Sequence, residues 1–364
     1  MRIAFALSGF HSVHRGAEVA LLSIAQALAE TGDEVTVFGS GDALPDKTYR
    51  FHHVGAIARE RFEKAPHFPP FRSEVMWEDA TFALALLGHY RPADFDVTIT
   101  CAYPFSQWAL RRPTMGRRPL QVFVTQNGDW PAYARNAEYR FFSCDGLVCT
   151  NPDYFARNAE RWPSALIPNG IDPARFGSGP IERERFGLPA QGTVVLMVSA
   201  FIESKRVADG VRAVAALPGA HLVVAGDGPL RDEVEQLANA LLPDRFTRLS
   251  LTADAMPALY RAADVFLHMS LLESFGNVFV EAMASGLPIV GHDTPRLRWI
   301  VGGDHPLCDT TDAAALHIAL ERAAQRGRGL PDPRSPEFAW SAIAERYREF
   351  LTELITRRDT QNAQ

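Results

Sequence analysis

The sequence predicts an α/β fold of two Rossmann-like domains, and three observations carry that prediction. At 364 residues the chain exceeds one ordinary domain and suits two. Short apolar runs alternate with longer segments of helical period, the pattern of βαβ units and parallel sheets. Residues 162–179 interrupt that alternation with Pro163, Pro168, Pro173, Gly170, Gly177 and Gly179, which suits a linker. The expected division is 1–168 and 169–340, with a C-terminal segment 341–364 beyond them.

Each element follows from its local pattern. Residues 3–7 are a short apolar run, read as a buried first strand that leads into a glycine-containing loop at 8–16. In residues 17–30, Val19, Leu22, Ile24 and Leu28 recur at helical spacing, and Gly32 ends the helix. Further strands are expected at 34–38, 97–100, 120–124 and 147–149. Residues 41–75 hold proline and aromatics without a period and read as a long irregular excursion, a kind of segment that often serves function. A second series places strands at 194–198, 222–225, 265–268 and 288–290, each followed by a loop and a helical pattern. The last amphipathic pattern, 341–355, runs into a polar tail.

Composition excludes several classes. An apolar fraction of 47% with 22% charged residues is that of a globular protein. A formal net charge of −6 argues against nucleic acid as a partner, since nucleic acid requires a basic face. Cys101, Cys144, Cys149 and Cys308 form no C-x-x-C pair and meet no histidine cluster, which suits a reducing cytoplasm rather than zinc or disulfides. The N-terminal apolar run is too short for a signal peptide, and no run reaches the ~18 residues of a spanning helix. The expected location is therefore the cytoplasm, or the periphery of the inner face of a membrane. Asp94-Phe-Asp96 has the spacing of a divalent-metal motif but directly precedes a strand, and reads as a solvated strand-edge pair. His11 and His14 are too isolated to hold a metal, although either could reach a substrate from the first loop. No metal site is assigned. Arg111-Arg112 and Arg117-Arg118 form a basic loop, either solvated or docking to anionic lipid at about 1 kcal/mol per charge.

The densest chemistry lies in Glu273-Ser-Phe275-Gly276-Asn277-Val278-Phe-Val-Glu281, followed by Ala-Met-Ala-Ser-Gly-Leu-Pro. A strand ends near His268, a loop carries Glu273, and a helix starts near Gly276. The amides of Gly276, Asn277 and Val278 then head a helix, where phosphate binds readily. Glu273, before the helix, is suited to accept from sugar hydroxyls. Glu281 lies roughly 7–8 Å along the axis from those amides at ~1.5 Å per residue. One carboxylate is thus placed for a sugar and the other for a ribose, with a diphosphate between them.

These residues resemble the E-x7-E signature of the retaining glycosyltransferases of the GT-B fold, the group-1 or family-four transferases. Pro168-Asn-Gly-Ile-Asp172 is similar to that family's interdomain motif, Ala225-Gly-Asp-Gly-Pro229 to its G-x-G-P turn, and Leu259-Tyr-Arg-Ala-Ala-Asp-Val265 to its L-Y-x-x-A-D-V. Residues 339–347 look like its closing helix, which crosses back onto the N-terminal domain. The resemblance covers nearly the whole second half; the first half matches more loosely, through Arg15-Gly16-Ala-Glu18. It implies two Rossmann-like domains facing across a cleft, the acceptor on the N-terminal one and the donor on the C-terminal one.

In that frame Lys205 is expected to neutralise the leaving diphosphate, with Arg206 beside it. The family commonly places an arginine five residues before this lysine, where this chain has Ala200, so Arg206 or Arg15 is left to substitute. Gly16 stands for the second residue of a family Gly-Gly pair, which lets backbone approach phosphates or acceptor; a plain helix-start glycine is the alternative. Asn127, in Thr125-Gln-Asn-Gly-Asp129, occupies the loop where the family often has a histidine. An amide there can bond a sugar hydroxyl but cannot act as a general base, and a turn residue is the alternative. Phe62, His67, Phe68, Phe71 and Trp130 are candidates for the acceptor side, or else a mini-core of the excursion.

The resemblance implies a hexosyltransferase that moves a hexose-type sugar with retention, from a nucleotide-diphosphate sugar to a glycan, lipid-linked or small-molecule acceptor. The departing phosphate would take the acceptor's proton on the same face. No cofactor is expected beyond the nucleotide sugar as substrate. The alternatives are a sugar-nucleotide epimerase on the same fold and a non-catalytic sugar-binding subunit.

Overall fold

A computed structural model describes residues 1–13 and 15–362. His14 lies outside the described residues. The α/β expectation holds: two wholly parallel sheets, each with helical connections, carry the chain. Contacts divide it into one unit of Met1–Gly170 with Trp340–Gln364 and a second of Ile171–Ala339.

Among the described residues the first unit holds a seven-stranded sheet ordered β3-β2-β1-β4-β5-β6-β7. Its strands are β1 (Arg2–Ala6), β2 (Glu34–Gly39), β3 (Arg50–His53), β4 (Val97–Thr100), β5 (Leu120–Val124), β6 (Gly146–Cys149) and β7 (Ser164–Leu166). Ile3, Phe5, Val37, Ile99 and Val122 pack against Leu21, Ile24 and Leu28 of the helix Gly16–Glu30. The same core contains Ile343, Ala344, Tyr347, Phe350, Leu351 and Leu354 of the helix Trp340–Asn362. The last helix of the chain thus belongs to the first unit by burial as well as by contact.

The second unit holds five strands in the order β10-β9-β8-β11-β12: β8 (Val194–Val198), β9 (His221–Ala225), β10 (Phe246–Leu249), β11 (Val265–His268) and β12 (Ile289–Gly291). Successive residues feed opposite faces. Val194, Leu196, Val223 and Phe266 join one core, and Val195, Met197, Leu222 and Leu267 the other. A sheet buried on both faces must be apolar throughout its strands, which is why these central strands read as continuous apolar runs.

Two elements occupy segments expected to be irregular. β3 falls within 41–75 and β7 within the linker 162–179. Both are short, partly exposed edge strands, and β10 is a third. Such strands need bury only one side and carry no apolar run. The helix Glu74–His89 is equally hidden: its buried face mixes Glu78 and Asp79 with Phe82 and Leu86, while Leu84 and Leu87 are exposed. Those buried acids have partners. Glu78 accepts from Ser8 Oγ at 2.9 Å and from the Arg59 guanidinium at 3.2 Å, which ties the excursion to the first loop. Asp79 accepts from the amides of Phe105 and Ser106, although burial pushes its carboxyl up to about 6.

Among the described residues no helix is long and apolar enough to cross a membrane.

Candidate functional site

In each sheet the strand order reverses beside the first strand of the series, and ligands of such sheets bind beyond the carboxyl ends at that switch point. For the second unit the switch lies between β8 and β11. The loop after β8 carries Lys205 and Arg206, and the loop after β11 carries Glu273, Phe275 and Gly276. The topology brings these residues together from positions far apart in sequence.

The β8 loop is held by backbone. The Phe201 amide donates to the Asp227 carbonyl at 2.9 Å and the Leu230 amide to the Phe201 carbonyl at 3.0 Å. Gly226 and Gly228 permit this approach. A Cβ at Gly226 would lie 1.9 Å from the Ser199 carbonyl oxygen, and one at Gly228 2.6 Å from that of Phe201. The glycines of Ala225-Gly-Asp-Gly-Pro229 therefore seat the loop that presents Lys205. Arg206 adds a brace: its guanidinium donates to Asp209 at 2.8 Å, to the Met269 carbonyl at 3.3 Å and to the Thr310 hydroxyl and carbonyl at 3.1 Å. It clamps the β8 loop to the start of the β11 loop, so its charge is already engaged. Ala200 is exposed in the same loop.

Lys205 Nζ donates to Glu273 Oε1, the oxygen that also meets His268 Nε2 at 2.9 Å. Burial of Glu273 opposes its ionisation, but the hydrogen bond and charge of His268 and those of Lys205 outweigh it and hold the carboxyl at about 2. The loop carbonyl of Glu273 accepts from the Arg296 guanidinium. Gly276 then turns the chain at φ 84° into the helix Asn277–Ala284. A Cβ there would lie 2.7 Å from the Phe279 ring, so only glycine keeps the turn and the packing beneath it.

Asn277 and Val278 open the helix at the head of the site. Phe275 is buried, within 6.3 Å of Trp299 and 6.1 Å of Phe338 by ring centroid, so the loop presents its backbone there while the ring anchors the turn. Glu281 lies further along the helix, half-buried, and its Oε2 accepts from the Tyr260 hydroxyl at 2.7 Å. Burial raises its carboxyl above the ordinary value, against the hydrogen bond from Tyr260 and the charge of Arg175.

Gly16 and Asn127 belong to the other unit. Gly16 is the first residue of the helix Gly16–Glu30, and a Cβ there would meet nothing within 4 Å. Asn127 is exposed just past β5, its Nδ2 3.7 Å from Cys101 Sγ in the loop after β4. Both lie at the carboxyl end of their sheet, where β1 and β4 form its switch point. Beside Asn127, Gln126 and Asn169 exchange amide hydrogen bonds at 2.5 and 3.0 Å, joining that loop to Pro168-Asn-Gly. The His11 ring is held by the Asp42 carbonyl and the Tyr49 hydroxyl, each at 2.7 Å, and stacks on Phe51. Of the excursion's aromatics, Phe62 and Phe71 stack on Trp77 at 5.7 and 4.0 Å and Phe68 packs on Phe71, which is a mini-core. Asp96 accepts from Arg2 at 2.8 Å, at the amino end of β4 and away from these loops. Among the described residues no group of three His, Cys, Asp or Glu is placed to hold a metal ion.

Sequence reasoning misses His268, Arg296 and Tyr260 as members of the site. His268 reads as a strand terminus, although a polar ring at the carboxyl end of a switch-point strand is itself a signal. Tyr260 sits within a recognised motif, but its partner Glu281 is 21 positions away.

Residues 179–329 match the family model for glycosyl transferases group 1, and residues 14–175 that for glycosyltransferase family 4. The phosphatidyl-myo-inositol mannosyltransferase of Mycolicibacterium smegmatis is 32% identical over 94% of this chain and 92% of its own length. Among solved structures, sucrose-phosphate synthase from Thermosynechococcus elongatus covers 98% of this chain and 99% of its own, with a TM-score of 0.75 and 22% identity. HepE of Anabaena, solved with UDP and glucose, covers 97% of this chain and all of its own, with a TM-score of 0.69 and 19% identity. Two doubly wound parallel sheets with these solved neighbours give the chain the GT-B fold of glycosyltransferases. The chain belongs to family 4, the group-1 glycosyltransferases. That membership decides for a transferase over the epimerase and the non-catalytic subunit.

Proposed function

We propose that the protein transfers a hexose-type sugar from a nucleotide-diphosphate sugar to a glycan, lipid-linked or small-molecule acceptor, with retention at the anomeric carbon. The observation that carries the reading is the convergence of Lys205, Glu273 and His268 at one switch point, beside the head of the helix Asn277–Ala284. An ionised carboxylate held at about 2 is a strong acceptor for sugar hydroxyls throughout the physiological range. An adjacent lysine supplies a point charge for the leaving diphosphate, and the amides of Gly276, Asn277 and Val278 a place for its oxygens. Glu281, braced by Tyr260, takes the ribose. Arg206 supports the grip by fixing the Lys205 loop. In the first unit taken by itself, Gly16 offers an open backbone approach and Asn127 an amide suited to a sugar hydroxyl. HepE was solved with UDP and glucose, and the mannosyltransferase relative is named for a phosphoinositide; both suit a nucleotide-sugar donor and an acceptor that includes lipids.

With the leaving charge met by Lys205 and helix-terminal amides, the reaction needs no divalent ion and no cofactor. Incubation with a panel of labelled nucleotide sugars and acceptors is expected to give acceptor-dependent transfer that persists in excess chelator. Transfer that collapses with chelator and returns with magnesium or manganese would contradict the charge assignment.

A further inference from the structure

The basic loop at 111–118 is not absorbed by the donor site, and its surroundings make it more than a solvated turn. Arg117, Arg118, Arg357 and Arg358 line a cavity of about 440 Å³ together with Asp145, Leu354 and Gln361, among others. All of these residues belong to the first unit. Leu120 opens β5, Asp145 precedes β6 and Pro163 precedes β7, so the cavity lies at the amino ends of these strands. That is the opposite end of the sheet from Gly16 and Asn127.

Packing fixes the helical arginines over the sheet. A Cβ at Gly146 would lie 2.4 Å from Leu354 and 3.1 Å from the Phe350 ring, so glycine lets the helix Trp340–Asn362 seat directly on β6. Arg358 follows Leu354 by one turn and therefore shares its inward face. Its guanidinium donates to the Arg118 carbonyl at 3.1 Å, while its buried Nε has no hydrogen-bond partner.

The charges do not balance. Asp145 is shared by Arg118, at 2.6 and 2.8 Å, and Arg111, at 3.2 Å, and Asp359 pairs with Arg117. Among the described residues Arg357 and Arg358 make no ion pair. Five guanidiniums thus face two carboxylates in a protein of net charge −6. Burial, and then the charge of Arg117, pulls the Arg358 guanidinium below its ordinary value, which an anion in the cavity would reverse.

We infer that this cavity is a second anion site, specific for a phosphate group gripped by Arg357 and Arg358 with Arg117 and Arg118 at its wall. Guanidinium forks match phosphate geometry, and Arg357 and Arg358 bring to the cavity two charges with no ion pair among the described residues. The phosphate is carried either by a soluble molecule or by the headgroup of an anionic lipid, and the two sources are separable.

The full-length protein and its Arg357→Gln/Arg358→Gln variant are titrated with inorganic phosphate, and are floated with phosphatidylcholine vesicles with or without phosphatidylglycerol. Lys205→Ala serves as the control for phosphate held at the donor site. Phosphate affinity is expected to fall by about tenfold or more in the double variant. It should be unaffected by Lys205→Ala, and basal transfer by the double variant should match wild type. Flotation that needs phosphatidylglycerol and is lost in the double variant assigns the phosphate to lipid; phosphate binding without flotation assigns it to a soluble molecule. Should the double variant fold poorly, Arg357→Gln alone, at an exposed position without an ion pair, is expected to weaken the same binding severalfold. Equal phosphate and vesicle binding by wild type and the arginine variants would overturn the site.

Discussion

Replacing Lys205 with alanine is expected to lower kcat by about 10²–10³-fold while changing donor affinity by much less. The reason lies in when the contact matters. The bridging diphosphate gains negative charge as the glycosidic bond breaks, so a cation beside it binds the transition state better than the ground state, and only such interactions raise turnover. Lys205 is held in place by a loop seated on Gly226 and Gly228 and by its bond to Glu273. The fold tolerates the change, because Glu273 keeps His268 as a partner at 2.9 Å. Glu273→Ala is expected to damage both kcat and donor affinity, since sugar hydroxyls are bound in the ground state as well. Steady-state kinetics with calorimetric donor affinities separate the two patterns. Full activity in Lys205→Ala would move the leaving-group charge to another cation.

The second large effect concerns the nucleotide. Glu281→Gln is expected to weaken nucleoside diphosphate binding by about ten- to a hundredfold, the worth of a charge-assisted contact of roughly 1.5–3 kcal/mol. Glutamine keeps an oxygen to accept from Tyr260, so the helix Asn277–Ala284 should remain in place. Tyr260→Phe is the matched control: it removes the brace but leaves the carboxylate, and should cost less. Unchanged calorimetric affinity in a folded Glu281→Gln protein would remove Glu281 from the site.

What was legible in the sequence follows from what each residue must satisfy. The central strands of the second unit are buried on both faces and announce themselves as apolar runs, as 194–198 does. The turn at Gly276 was legible because that residue must adopt φ 84° against Phe279, and the E-x7-E spacing is local to one loop and helix. The edge strands β3, β7 and β10 bury too little to leave a pattern. The helix Glu74–His89 is masked by buried acids whose partners, Arg59, Ser8 and Ser106, lie far off in sequence. Distance likewise hides Arg296, 23 positions from Glu273, whereas His268 lies only five positions before Glu273 and reads simply as the end of a strand. Arg206 shows the converse: it stands next to Lys205 in sequence and looks equivalent, yet its guanidinium is engaged by Asp209, the Met269 carbonyl and Thr310.

The stereochemistry of transfer tests the central claim most directly. In the proposed function Lys205 meets the diphosphate, and Glu273, tied to Lys205 and His268, the sugar hydroxyls. Asn127 is an amide that cannot serve as a base. On the proposed function the route is same-face displacement, with the departing phosphate taking the acceptor's proton. The measurement is the anomeric coupling of the freshly formed product by proton NMR, read against that of the donor. An α-linked donor is expected to yield an α-linked product; a β-linked product from the same donor would contradict the account.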